Sequence, residues 1–221
     1  MKHISDCQFG YPIGKSTTYC VFLLQAIITI VLNSGQKLYS VFIDYEKCFG
    51  NINRAFLWQK LLSQNVSTKI TRVIHAMYSV VKSVIKHQGS TYYPISSYMG
   101  VKQGGASSAL LFMMFVNDIT EHINTNLEGI FTLNEMKPFL ILYADDQVLF
   151  SNSPDSLQSM LADIEAYCDR WGLKIDTNKT KVLIFEKGSR YTDRSFYLYN
   201  SKLRIVTQFK YLGVNFYKNG R

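Results

Sequence analysis

The sequence predicts an α+β fold, a sheet with helices packed on one face, and three features carry that reading. Helix-like and strand-like segments are mixed irregularly, unlike the regular alternation of a doubly wound sheet. Residues 139–150 hold two short apolar runs on either side of Ala144-Asp145-Asp146, the pattern of a hairpin with acids at its tip. Ser153 as N-cap, Pro154 as first helical residue and Gly172 as terminator bracket a helix in which Leu157, Met160, Leu161, Ile164, Cys168 and Trp171 recur at helical spacing.

The other elements follow in chain order. Residues 19–32 read as a buried helix, too short for a bilayer and interrupted by Gln25 and Thr29. Residues 37–44 are β-branched and aromatic and end in an acid, which reads as a strand. Residues 54–62 look helical. Ser67 then caps an expected helix whose Ile70, Val73, Ile74, Met77, Val81 and Val84 share a face. Residues 92–99 return to strand character, and from Ser108 the positions Leu111, Met114, Phe115 and Ile119 follow a helical face. Residues 182–185, residues 196–206 around an Asn200-Ser201 turn, and residues 209–216 read as short antiparallel strands.

With 221 residues, 47% of them hydrophobic and 18% charged, the chain can bury a sizeable core, which excludes a disordered protein. No repeat or linker divides it, so residues 1–221 are expected to form one unit. Lys and Arg outnumber Asp and Glu by 24 to 16, and a pI near 9.2 favours a polyanionic partner such as nucleic acid; a basic enzyme without such a partner fits charge alone equally well. Cys7, Cys20, Cys48 and Cys168 form no C-x-x-C pair, which argues against zinc and disulfides and for buried thiols in a reducing compartment. No signal peptide and no membrane span are visible, so the expected setting is intracellular.

The chemistry concentrates in three acids. Asp44 ends the run Val41-Phe42-Ile43, and Asp145 and Asp146 separate two apolar runs. A carboxylate beside a buried sheet is costly unless something positive compensates it. Mg²⁺, a hard cation held by one or two carboxylates and substrate phosphates, meets that need, and two such ions can stabilise the attacking 3′-hydroxyl and the leaving pyrophosphate of an in-line displacement. A solvated hairpin turn is the plain alternative for Asp145-Asp146.

Six motifs in order resemble those of the non-LTR, or LINE-type, retrotransposon reverse transcriptases over nearly the whole chain. Gln8-Phe9-Gly10-Tyr11 with Gly14-Lys15-Ser16-Thr17 resembles the fingers motif, and residues 42–49, Phe-Ile-Asp-Tyr-Glu-Lys-Cys-Phe, resemble motif A. Gly100-Val101-Lys102-Gln103-Gly104, followed by Leu110-Leu111-Phe112 and Asn117-Asp118-Ile119, is similar to motif B and its helix. Tyr143-Ala144-Asp145-Asp146 is similar to motif C, Trp171-Gly172-Leu173 with Asn178-Lys179-Thr180-Lys181 to motif D, and residues 209–214, Phe-Lys-Tyr-Leu-Gly-Val, to the primer-grip motif E.

The resemblance implies a right-hand polymerase palm (residues 37–221, through the primer grip) with partial fingers (residues 1–36) and no thumb. It implies Mg²⁺, with Mn²⁺ as a substitute, and RNA template, DNA primer and dNTPs as partners in the nucleus and cytoplasm. Asp44 and Asp145 would bind the metals with Asp146 assisting, and the Tyr45 carbonyl would add a ligand. Phe49 would lie under the sugar of the incoming nucleotide and exclude a 2′-hydroxyl by repulsion, unless it is an ordinary core Phe. Gln103 and Gly104 would position template and nucleotide, the glycine allowing close backbone approach. Lys179 is the candidate general acid for pyrophosphate, with Lys181 as competitor. Tyr211, Leu212 and Gly213 would support the primer terminus.

Several positions depart from the family pattern. Pro12 stands where an Arg is usual, Gly50 and Asn53 replace acids, Gly105-Ala106 replaces Cys-Pro, and Ala109 replaces a Pro. The reading is therefore an RNA-directed DNA polymerase, a fragment or truncated element whose own activity is expected to be weak. Its rivals are an RNA-dependent RNA polymerase, opposed by Phe49 and by motifs D and E, and an inactive relic that binds nucleic acid at most.

Overall fold

In the computed structural model, residues 4–10, 14–102, 104–105, 107–123, 139–188 and 194–220 are described. The chain begins with α1 (Thr17–Asn33), β1 (Leu38–Ile43), α2 (Cys48–Asn51), α3 (Arg54–Ser63) and α4 (Thr68–Ser79). Four two-residue strands follow: β2 (Lys82–Ser83), β3 (Lys86–His87), β4 (Ser90–Thr91) and β5 (Ile95–Ser96). Next come α5 (Ser108–Val116), α6 (Ile119–His122), β6 (Leu140–Tyr143), β7 (Asp146–Ser151), α7 (Pro154–Trp171) and β8 (Lys181–Phe185). The chain closes with β9 (Tyr197–Leu198), β10 (Ser201–Lys202), β11 (Arg204–Val206), β12 (Gln208–Tyr211) and β13 (Val214–Tyr217).

The central sheet has the order β11-β8-β1-β7-β6, with β1 antiparallel to both β7 and β8. Every residue of β1 is buried, because the sheet is covered on both sides. Tyr39, Val41 and Ile43 join one core with α3, α5, α6 and α7, which is the helical face the sequence leads one to expect. Leu38 and Phe42 point the other way, into a second core made with α1 and the β12–β13 hairpin. A β-strand alternates its side chains between faces, so an apolar run without polar alternation needs two covers. Among the described residues, no helix is long and apolar enough to cross a membrane.

Local chemistry explains the firmest elements. In α7 the Ser153 side chain accepts the Ser156 amide, Pro154 occupies the first turn, and Gly172 ends the helix in the left-handed region with its amide bonded to Cys168. Ser16 caps α1 in the same way through the Tyr19 amide.

Three expectations change. The antiparallel reading fails for β11, which runs parallel to β8. The β9–β10 hairpin, held to α7 by the reciprocal bonds of Gln158 with Tyr197, turns the chain so that it re-enters the sheet in the direction of β8. The helix after Ser67 stops at Ser79, short of Val81 and Val84, and Ser67 makes no side-chain cap bond. Its buried residues are Thr71 and Tyr78, while Ile70, Val73 and Met77 are exposed. Within 92–99 only Ile95–Ser96 is strand.

Candidate active site

The acids gather where β1, β6 and β7 end together. β6 and β7 are joined by the two-residue turn Ala144-Asp145, since Tyr143 pairs with Asp146. Ala144 takes a positive φ of 54°, a conformation that a residue with a Cβ adopts at a cost of about 1–2 kcal/mol. The neighbouring register of β1 and β7 runs to Ile43 opposite Gln147. Continued by one residue, it sets Asp44 beside Asp146.

Asp146, at the start of β7, feels the other two acids. Burial, then the charges of Asp145 and Asp44, push its carboxyl up to about 6. Asp145 turns toward α2, where the Cys48 thiol donates to its Oδ2 at 3.4 Å. Burial and then the Asp145 charge raise that thiol to about 12, so it stays a neutral donor. Among the described residues, no three His, Cys, Asp or Glu side chains are arranged to hold a metal ion. The donor set itself, hard carboxylate oxygens, suits a divalent cation such as Mg²⁺.

Asp44 is fixed through its backbone. Its amide donates to Thr180 Oγ1 at 3.2 Å and its carbonyl accepts from the Asp176 amide at 2.9 Å, so the end of β1 is stitched to the loop before β8. Lys179 from that loop brings Nζ to 3.6 Å from both Asp44 Oδ1 and Asp176 Oδ2. Lys181 instead donates to the Asn178 carbonyl. Both lysines, with Asp44, Asn178, Phe209 and Lys210, line an open pocket of about 540 Å³ between this loop and β12.

The other expected site residues are spread around this end. The Tyr45 side chain is buried and donates to Gln147 Oε1 at 2.9 Å, away from the acids. Phe49 is half-buried, with its ring 5.4 Å from that of Phe112. Gly104 is exposed with φ 80°, a conformation that favours glycine, while Gln103 lies outside the described residues, as does Pro12. Leu212 and Gly213 form the β12–β13 turn, both at positive φ, and Tyr211 is buried under the sheet with its ring 5.6 Å from Phe42.

Sequence reasoning assigned no role to four residues that shape this region. Gly10 lies so close to the hairpin that an added Cβ would stand 2.8 Å from the Ala144 amide nitrogen. Gln8, fully buried and bridged to Leu142, folds its Oε1 back to the Gly10 amide at 3.0 Å. Cys48 holds Asp145. Arg54 donates to the carbonyls of Tyr78, Ser97, Met99 and Gly100 at 2.8–3.1 Å, and the amide of Val101 bonds to Phe49 at 2.7 Å. Gln8 and Gly10 lie within the fingers motif and Cys48 within motif A, which flags the segments but not these contacts, and Arg54 carries no local signal, because the partners are distant carbonyls and a distant turn.

Comparison with known proteins agrees with this geometry. The chain is 27% identical over 191 residues to a protein of Drosophila melanogaster described as a probable RNA-directed DNA polymerase from transposon BS, covering 80% of this chain and 20% of that protein. It is 26% identical over 204 residues to the Pol polyprotein of the type-1 retrotransposable element R2 of Nasonia vitripennis, covering 87% and 19% respectively. The chain thus spans about a fifth of the length of these relatives. Among solved structures, apo telomerase of Candida tropicalis superposes with a TM-score of 0.66 at 14% identity, over 96% of this chain and 39% of that one, which speaks to the fold alone. Residues 1–216 match the family described as reverse transcriptase (RNA-dependent DNA polymerase). The ordered motifs, the palm-like sheet with its acids at one end, and this match over nearly the whole chain place the protein in the reverse transcriptase family.

Proposed function

We propose that this chain is the palm, with part of the fingers in residues 1–36, of an RNA-directed DNA polymerase that adds dNTPs to a DNA primer on an RNA template in the nucleus and cytoplasm. The observation that carries the reading is the convergence of the end of β1, which carries Asp44, on the β6–β7 turn, which carries Asp145 and Asp146 about a hundred residues on, where the charges of Asp44 and Asp145 act on Asp146. Asp44 and Asp145, with Asp146 assisting and the Tyr45 carbonyl beside them, are the residues that would hold Mg²⁺ or Mn²⁺. When bound, such ions lower the charge cost at the attacking and leaving oxygens.

The chain's own residues do the positioning. Thr180 and Asp176 fix the backbone of Asp44, and Cys48 holds one oxygen of Asp145. Lys179, rather than Lys181, stands at the Asp44 carboxylate and is suited to give a proton to pyrophosphate. Phe49 excludes a 2′-hydroxyl, Gln103 and Gly104 align template and nucleotide, and the turn of Leu212 and Gly213 on its Tyr211 base supports the primer end.

Primer extension on poly(rA) with oligo(dT), comparing the chain with Asp145→Ala, tests the reading. Extension that needs Mg²⁺ or Mn²⁺ and is lost in the variant is expected. Extension that survives Asp145→Ala and Asp44→Ala would overturn it, and absence of both extension and metal binding would favour an inactive relic.

A further inference from the structure

Beyond β1 the chain runs on beside residues 174–176. The Glu46 amide donates to the Lys174 carbonyl at 2.8 Å, the Asp176 amide donates to the Asp44 carbonyl at 2.9 Å, and Tyr45 bridges Ile175 between them. Against this pairing, at the C-terminal end of α7, lies an open cavity of about 420 Å³ that shares no lining residue with the pocket of Asp44 and Lys179. The buried Leu173 and Ile175 form its floor, the Tyr199 ring lines it, and the exposed Glu46, Asp169 and Lys174 stand at its rim. Among the described residues, none of those three charges is held in an ion pair. The Tyr199 hydroxyl, buried near Asp169, completes no hydrogen bond among them either.

We propose that this cavity binds a small organic cation with a flat or apolar body, and that the bound cation braces the turn that carries Lys179. The volume falls in the range of small-molecule sites, roughly 300–1,000 Å³. An apolar floor favours a hydrophobic body, and a tyrosine ring attracts a cation. Two carboxylates against one ammonium select a positive ligand over a neutral or negative one, in a chain whose net formal charge is +8. The Tyr199 hydroxyl is free to accept from it. Bracing is carried by the main chain. Asp176, next to Ile175 of the floor, accepts the amides of Asn178 and Lys179 on its side chain and those of Lys179 and Thr180 on its carbonyl. It thereby sets the turn from which Lys179 reaches Asp44. A ligand seated on the floor limits the motion of Ile175 and, one residue on, of Asp176. The site stands apart from the polymerase reading; only the catalytic meaning of a braced Lys179 rests on it.

The test is calorimetric titration of the full chain with tryptamine, an indole bearing a primary ammonium, against indole-3-propionate, which has the same ring and the opposite charge. Tryptamine is expected to bind at one site with a dissociation constant of about 1 mM or tighter, as a well-seated ligand of roughly a dozen non-hydrogen atoms should. Indole-3-propionate should bind at least roughly tenfold more weakly, because its carboxylate meets two others. Glu46→Gln with Asp169→Asn should weaken tryptamine by roughly tenfold, the loss of charge from its acceptors. Both side chains are exposed, so the thermal midpoint of the ligand-free variant should stay at the wild-type value. Hydrogen exchange over residues 173–181, read by mass spectrometry, should slow in the wild type at saturating tryptamine. Equal binding of the two indoles, unchanged affinity in the double variant, or no saturable binding would overturn the site. Binding that leaves exchange over residues 173–181 unchanged would overturn the bracing. A chain that binds tryptamine as expected but extends no primer would leave this inference standing and count against the polymerase reading.

Discussion

Gly10 lies against the amide of Ala144, in the turn that carries Asp145, with no room between them for a Cβ. The obstacle would be backbone at 2.8 Å, which cannot rotate aside as a side chain could. Gly10→Ala should therefore displace the acid-bearing turn while leaving the distant core of α7 intact. Primer extension should fall by about 100-fold, the scale of a 1 Å misplacement of reacting groups. Measured metal affinity should fall with it. Full activity in Gly10→Ala would show that the turn does not depend on this contact.

Arg54 spends its guanidinium on four main-chain carbonyls. Arg54→Ala should cost about 2–4 kcal/mol, the range for losing a charged donor and leaving several acceptors short of a partner. Lysine has one nitrogen where arginine has a planar fork, so Arg54→Lys should recover less than half of that. Urea denaturation gives the cost, and limited proteolysis should cut first within residues 80–99. Resistance of that segment in Arg54→Ala would refute its role as anchor.

Lys60 is fully buried, at 2.5–2.6 Å from both carboxylate oxygens of Asp118, 2.9 Å from the Tyr167 hydroxyl and 3.7 Å from the centre of the Trp171 ring. Asp118→Asn leaves that charge without its counter-ion and should destabilise by about 3–5 kcal/mol. Burial, against the pull of Asp118, lowers the Lys60 ammonium from 10.5 to about 8. Between those values the unfolded chain holds a proton the folded chain has released, so the Lys60 contribution to stability rises with pH from about 8 to 10.5. Across that window the wild type should gain stability relative to Lys60→Met. A gap between the two proteins that stays constant with pH would rule out the titration of Lys60.

The four thiols push the other way at higher pH. Burial first of all raises Cys7 to about 11 and Cys20, Cys48 and Cys168 to about 12, from 9.0. Groups raised in the folded state stabilise it fully below the unfolded value, and that contribution is lost as pH rises through the folded values. Stability should thus decline from about pH 9 upward. At pH 8 a disulfide reagent such as dithiobisnitrobenzoate should label none of the four at an appreciable rate until urea is added. Rapid labelling of the native protein would mean that the thiols are open.

Phe49 and Gly50 can be separated. Shrinking Phe49 to Val should raise rNTP incorporation while dNTP use is largely kept, because only a repulsive element is removed. A Cβ at Gly50 would meet nothing nearer than 3.8 Å, so Gly50→Ala should stabilise by about 0.4–1 kcal/mol through the unfolded chain. Unchanged sugar selection in an active Phe49→Val protein would make Phe49 simply part of the core.

The sequence by itself determined the parts of this protein whose physics is local. The hairpin with acids at its tip, the capped α7, the buried α1 and β1 ending in Asp44 were all legible, because caps, turns and apolar periodicity act within a few residues. The order of six motifs carried the family for the same reason, each being a short run with its own chemistry. Tertiary structure decided what depends on residues far apart in the chain. It set Asp44 beside Asp146, put Lys179 instead of Lys181 at Asp44, pressed Gly10 onto Ala144 and sent β11 parallel to β8. It also left the apolar stripe of α4 in the open, where helical spacing had pointed to a core. Periodicity reports that a helix has an apolar side; whether anything lies against that side is fixed by the packing of the whole chain.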